Sequence, residues 1–395
     1  MRFTALSTAA LVAALSLPPF VAAAPPFELH KGDHICIIGN ALAERMQHSS
    51  WLETLIYARY PQHNLVFRNL GYGGDEVNGY RDLHSRMRSM DFGSQDQWLA
   101  GEAPIPQPKK LNPGAPVRQN RFEFTNTHAD VIFVFYGYNE SFAGPAGVEK
   151  FKHDLARFIK HTRAQRYNGK TPPRIVLFSP IAHENLGDPN LPDGAQDNVR
   201  LKLYTAAMGD VAKAEGVSFV DLFTPTLERF TASNGQKSSG PASNGPKLTM
   251  NGIHLNDEGD HFVAGAAYQG LFGEAPTFDP VRLSSLRTAI NQKNEYWFLR
   301  YRTPDGYSTY GDRAFLRFVD GQTNYEVLAR ELEMIDLLTS NRDKVVWEAA
   351  QGHAVKADDS NLPDFIPVVT NKPGPLPGGK HVFLSGEEEI KKMTV

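Results

Sequence analysis

The sequence predicts an α/β protein built on a doubly wound parallel sheet, and three observations carry that prediction. Short apolar runs recur at 35–38, 65–69, 129–135, 175–178 and 217–222, most of them separated by segments with helical spacing of apolar residues. The third run reads Ala-Asp-Val-Ile-Phe-Val-Phe, a nearly continuous apolar stretch of the kind buried on both faces of a parallel sheet. The chain has 395 residues, 41% of them hydrophobic, which is room for one large domain of this class with an appendage. Right-handed crossovers and a strand order 2-1-3-4-5 would place the ligand crevice between strands one and three.

Residues 1–24 carry Arg2, an apolar run at 9–17 and small residues at 21–24, the pattern of a cleavable signal peptide and hence of a secreted or periplasmic protein. A membrane span is not expected from so short a run. The first strand breaks at Gly39 into Asn40, Ala41 and Leu42, after which Leu42, Met46, Leu52, Leu55 and Ile56 approximate a single helical face, with Trp51 beside it, that ends before Pro61. Gly71, Gly73 and Gly74 follow the second strand. Glu76 stands where G-x-G-x-x-G needs its last glycine, so a dinucleotide fingerprint is not formed. These glycines suit either a tight turn or a close approach of backbone to ligand.

The stretch 76–90 reads as helix, and 91–124, rich in Pro, Gly, Gln and Asn, as a long lid or binding loop. Asn139 sits just beyond the third strand. Phe151, Leu155, Phe158 and Ile159 mark the next helix, 201–214 another, and 257–272 the closing helix of the domain, reached through a Ser/Gly/Asn loop at 231–247. Past Pro280 the chain continues with 281–293, an aromatic cluster of Tyr296, Trp297, Phe298, Tyr301, Tyr307 and Tyr310, and a long helix near 325–350. The cluster is either a sugar-stacking platform served by Arg300 and Arg302 or packing that joins the appendage to the core. From Gln351 onward the composition is that of an extended linker, and 386–395 reads as the lead-in to a further domain. The resulting division is 1–24 signal peptide, 25–274 main domain, 275–352 helical appendage and 353–395 tail.

A net charge of -3 offers no footprint for nucleic acid. Cys36 is the only cysteine, which rules out an intrachain disulfide or a cysteine-cluster metal site and, inside an apolar strand, suggests a buried, inert thiol. No G-x-S-x-G elbow occurs, and Gly169-Lys170-Thr171 lacks the P-loop glycine at Ala164. His183 and Glu184, with Asp75 and Glu140, lack tight metal-ligand spacing. No cofactor is expected.

Four blocks in order, Gly39-Asn40-Ala41-Leu42, Asn69-Leu70-Gly71-Tyr72-Gly73-Gly74-Asp75, Gly137-Tyr138-Asn139-Glu140 and Asn251-Gly252-Ile253-His254, resemble those of the SGNH (GDSL) hydrolases and span 34–260. The resemblance implies a flavodoxin-like three-layer fold. It implies an ester-hydrolase site in which a serine attacks the acyl carbon, a histidine takes its proton and an aspartate orients that histidine. The oxyanion donors are the serine N–H, a block-two glycine N–H and the block-three asparagine amide. Mapped residue by residue, the nucleophile position is Ala41, the donors are the Ala41 N–H, Gly74 and Asn139, the base is His254, and Asn251 stands where the aspartate belongs. An alanine keeps the backbone N–H but cannot attack. An amide does not stabilise an imidazolium and can select the wrong tautomer. Ser49 and Ser50 lie about two turns into the helix, too far to stand in for position 41, and Ser141 and Ser179 fit turn or cap roles. Two functions follow: a pocket that recognises a small-molecule ester, an O-acyl group on a carbohydrate or a carboxylate without turnover, or an active ester hydrolase using an unorthodox nucleophile or His254-activated water.

Overall fold

Strands β1 (His34–Gly39), β2 (Val66–Asn69), β3 (Val131–Phe135), β4 (Arg174–Phe178) and β5 (Ser218–Val220) form one parallel sheet in the order β2-β1-β3-β4-β5, as the sequence predicts. The structure, a computed structural model, describes residues 26–77, 95–101, 127–233, 246–303, 306–309, 313–314 and 321–368. The expected signal peptide at 1–24, most of the helix at 76–90, the loop from 102 to 124, the middle of the 231–247 loop, Tyr310 and the end of the tail lie outside the described residues.

Ten helices are described: α1 (Ala41–Ser49), α2 (Trp51–Arg59), α3 (Gln95–Leu99), α4 (Val148–Ala164), α5 (Ala195–Glu215), α6 (Phe223–Ser233), α7 (Asp257–Phe272), α8 (Pro280–Tyr301), α9 (Gly306–Thr309) and α10 (Asn324–Ala350). Side-chain alternation along the strands builds two cores. Ile35, Ile37, Phe133, Phe135, Val176 and Phe178 pack with α1, α2, α7 and α8, and Cys36, Ile38, Ile132, Val134, Ile175 and Leu177 with α4 and α5. The result is the three-layer arrangement with helices on both faces. Burial pushes the Cys36 thiol up to about 12, so it is inert.

Four expectations need correction. The single helix after β1 is two, because Ser50 takes a left-handed conformation (φ 58), donates its N–H to Met46 O (2.8 Å) and its hydroxyl to Gln47 O (3.0 Å), and so ends α1. A short helix, α3, interrupts the start of the expected 91–124 loop and buries Trp98 and Leu99. Helix α5 begins before 201 through a polar first turn that carries no apolar period. The tail is not a free linker from 353: Asp359 pairs with Arg342, Asn341 donates to Asn361 Oδ1 (2.8 Å), Arg330 to Asp364 O (2.8 Å) and Gln322 to Pro367 O (2.9 Å), so this segment runs back along α10.

The appendage closes the open edge of the sheet. β2 is an edge strand, and alternate carbonyls face away from β1. Trp347 Nε1 donates to Leu65 O (2.7 Å), Lys293 Nζ lies 3.4 Å from Phe67 O, and Trp297 Nε1 donates to Asn69 O (2.6 Å). Tyr301 donates its hydroxyl to Leu70 O (2.8 Å). Buried ion pairs seal the seam: Arg68 with Asp343 (2.6 Å), Lys293 with Glu53 (2.6 Å) and Arg300 with Asp336 (3.1 Å). Trp297 and Tyr301 are therefore buried structural donors, and the packing reading of the aromatic cluster holds for them; the Tyr307 side chain lies outside the described set.

Candidate active site

The crevice is set by where β1 stops. Gly39 has φ +135, and a Cβ there would lie 2.2 Å from Phe135 O, so the position requires glycine. Gly39 O then accepts the Tyr72 N–H (2.8 Å) while the next residue, Asn40, donates its N–H to Phe135 O (3.1 Å). The chain is thus tied to both neighbours of β1 at the topological switch point. Asn40 caps α1, its Oδ1 accepting from Leu42 N–H (3.2 Å), and leaves Ala41 as the first helical residue with its N–H unpaired.

A cavity of about 100 Å³ opens at this point. Its wall includes Ala41, Leu42 and Arg45 from α1, Tyr138 and Asn139 after β3, Ser179 to Ile181 after β4, and Ile253, His254, Leu255 and Asp260. The structure therefore brings Ala41, Asn139 and His254 to one crevice, and Asn251 reaches it through His254. Gly74 does not belong to the wall. Its neighbours are anchored to α1 instead: Gly73 N–H donates to Glu44 Oε2 (2.7 Å), and a Cβ on Gly71 would meet Glu44 N at 2.4 Å. Of the glycine run, Gly71 answers to helix contact rather than to ligand approach.

The Asn139 amide makes no hydrogen bond among the described residues. Asn251 Oδ1 accepts the backbone N–H groups of His254 (3.0 Å) and Ile253 (3.3 Å), and both of its side-chain polar atoms reach His254 Nδ1, Nδ2 at 3.0 Å and Oδ1 at 3.2 Å. If Nδ2 donates, Nδ1 is the acceptor and Nε2 carries the proton, which disables it as a base; if Nδ1–H donates to Oδ1, Nε2 is free to accept. An aspartate would enforce the second state. Burial and the Arg45 guanidinium hold the His254 pKa below its ordinary value, so the imidazolium that serine attack would create is disfavoured here.

Buried Glu184 organises the loop that carries this pair. Its carboxylate accepts from Leu248 N–H (3.0 Å), Thr249 N–H (2.8 Å) and the Thr249 hydroxyl (2.7 Å), its own N–H donates to Gly252 O (2.8 Å), and Thr249 Oγ1 accepts the Gly252 N–H (3.0 Å). His183 Nδ1 faces Asp197 Oδ2 at 2.7 Å, and its ring packs against Gly252 so closely that a Cβ there would meet Nε2 at 2.3 Å. Glu140 accepts from Val77 N–H (2.9 Å) and Gly137 N–H (2.8 Å). His183, Glu184 and Glu140 are thus each engaged separately, and among the described residues no group of three His, Cys, Asp or Glu could hold a metal. Ser141 donates to Tyr138 O (2.6 Å), and the Ser179 hydroxyl accepts from Leu222 N–H (2.8 Å) and Phe223 N–H (3.0 Å), the turn and cap roles expected of them.

Sequence reasoning missed both charged residues of the wall. Arg45 is four residues after Ala41, on the same helical face, a spacing that could have revealed it. Asp260 lies in the first turn of α7; burial raises its carboxyl to about 6 against the opposing effects of a Ser49 hydrogen bond and Arg45.

A parallel doubly wound sheet whose switch-point cavity holds a helix-start N–H, an asparagine amide and a loop histidine defines an esterase-type α/β protein. The profile of the GDSL-like Lipase/Acylhydrolase family matches residues 39–261, and the chain belongs to that family. Among solved structures, a gut microbial diltiazem-metabolizing enzyme is 17% identical with a TM-score of 0.41, the match covering 62% of this chain and 48% of that one. A catalytic mutant of an acetylxylan esterase from Geobacillus stearothermophilus is 15% identical (TM-score 0.39; 62% and 95% covered), and a further acetyl xylan esterase is 16% identical (TM-score 0.39; 60% and 100% covered). No curated protein matches the chain.

Proposed function

We propose that this is a secreted SGNH-fold protein that holds an acyl group, whether an ester, an O-acyl group on a carbohydrate or a carboxylate, without efficiently turning it over. The observation that carries the reading is the pairing of open donors with a missing nucleophile: the Ala41 N–H and Asn139 amide are free at the cavity, yet position 41 ends in a methyl group. Donors placed for a developing oxyanion also bind a ground-state carbonyl, but without an attacking atom they cannot lower a chemical barrier. The carrier of the acyl group would meet the ring of Phe142, 61% exposed and packed edge-on against cavity residue Tyr138.

A second reading, hydrolysis by His254-activated water, is favoured by one observation: among the described residues His254 Nε2 has no partner at the cavity. Hydrolysis of 4-nitrophenyl acetate by the unmodified protein and by His254→Ala separates the two. The binding reading expects no difference between them above background; turnover lost on His254→Ala would establish the second. The secreted location is tested by N-terminal sequencing of protein recovered from the culture medium or periplasm, which should begin near Pro25.

A further inference from the structure

Among the charged groups around α1 and α8, Arg45 stands apart. Arg68 faces Asp343, Arg287 faces Asp257, Arg300 faces Asp336 and Arg302 faces Glu44. Among the described residues the Arg45 guanidinium makes no ion pair or hydrogen bond, and it lines the cavity beside Ala41 and Asn139. The one acid among the described wall residues, Asp260, feels the charge of Arg45 but forms no ion pair with it. A half-buried guanidinium with no protein partner keeps its charge and its N–H donors available to a ligand of opposite charge.

We infer that the cavity selects a carboxylate anion over the corresponding neutral acyl group, and that Arg45 is the residue that determines this choice. The inference rests on the acyl-pocket reading and narrows it. A neutral ester carbonyl is satisfied by the Ala41 N–H and the Asn139 amide and has no use for a guanidinium. A carboxylate has a second oxygen and a full charge, and a guanidinium supplies the donors and charge that both require. The methyl group of Ala41 leaves open the space where a serine hydroxyl would press on the acyl carbon. The same cation works against serine-hydrolase chemistry, because it disfavours the imidazolium that His254 would have to become. What disables attack on an ester favours retention of an acid.

The test is calorimetric titration at pH 7.5 with sodium butanoate and with butanamide, its neutral isostere. The charge-assisted contact should make butanoate bind about ten- to a hundredfold more tightly. Arg45→Gln should bring the two affinities together, and Arg45→Lys, which keeps the charge, should restore most of the difference. Equal affinities in the unmodified protein, or a preference that Arg45→Gln leaves intact, would overturn the role of Arg45 while leaving the acyl pocket standing, provided Asn139→Ala still weakens butanamide. Failure of both probes to bind would overturn the acyl pocket itself and this inference with it. If Arg45→Gln does not fold, the wild-type preference and the Arg45→Lys result decide the matter alone.

Discussion

Rebuilding the triad tests the site most directly. Ala41→Ser restores a nucleophile beside two open donors, and Asn251→Asp gives His254 a charged orienter. The structure sets the size of the second effect. Asn251 Oδ1 already accepts two backbone N–H groups, and the ring lies 3.0–3.2 Å from the amide, so an aspartate in the same rotamer keeps both bonds and meets Nδ1–H directly. A carboxylate at that distance should raise the histidine pKa, opposing the depression caused by burial and Arg45. The reverse change, acid to amide, costs about 10⁴ in rate in a serine protease, and each oxyanion donor is worth about 10² to 10³. Ala41→Ser alone should therefore give a trace of activity, Asn251→Asp alone none, and the double variant at least about 10³ above the serine variant, because triad members act as a unit. The assay is 4-nitrophenyl acetate hydrolysis with burst kinetics to detect the acyl-enzyme, and His254→Ala in the double variant should remove the gain. Robust turnover by the unmodified protein, dependent on His254 and indifferent to position 41, would refute the reasoning.

Three further outcomes are expected. Glu184→Gln keeps one acceptor oxygen but turns an amine toward the Leu248 and Thr249 donors, so it should cost about 1–3 kcal/mol in thermal stability and disturb the His254 ring resonances in NMR; a spectrum unchanged at His254 would show that the loop does not depend on this carboxylate. Lys293→Ala leaves Glu53 buried without its cation and should cost about 3–5 kcal/mol in urea unfolding, whereas Lys293→Met with Glu53→Leu should recover most of that loss; equal costs for the two would contradict the buried-pair account. Burial raises the Glu140 carboxyl from 4.5 to about 7, so the folded state binds a proton that the unfolded state releases; stability should fall as pH rises from about 4.5 through about 7, and Glu140→Gln should flatten that slope in melting curves.

The sheet was legible because each strand is a short apolar run closed by a turn residue, a signal local to a few positions. Strand order, the switch point and the meeting of Ala41 with Asn139 follow from that pattern. What escaped is non-local or conformational. The left-handed Ser50 that splits α1 from α2 leaves the apolar spacing of Leu42 to Ile56 almost undisturbed. The Lys293–Glu53 and Arg68–Asp343 pairs join positions 240 and 275 residues apart, so no sequence window contains both charges. Glycine identity was visible, but whether Gly71 or Gly74 meets a ligand depends on where α1 passes, which only packing decides. Arg45 was readable from its spacing to Ala41, while Asp260 became a wall residue only through the placement of α7.

The closure of β2 by side chains also has a temporal side. The strand at 66–69 is made early, with Tyr57 and Arg68 at hand for the Leu65 and Phe67 carbonyls, but the remaining donors come from positions 293, 297 and 347, more than two hundred residues later. Until those residues exist the strand is a partly covered template onto which a second nascent chain could dock, with the Asn69 carbonyl open and Arg68 still lacking Asp343. A gene fragment cut at the end of the family match keeps the template and discards its cover, so it should form inclusion bodies where the chain through Ala350 stays in solution. The heritable module and the unit that must fold together therefore have different lengths, and recombination at the sequence boundary would yield a sticky product rather than a portable esterase domain.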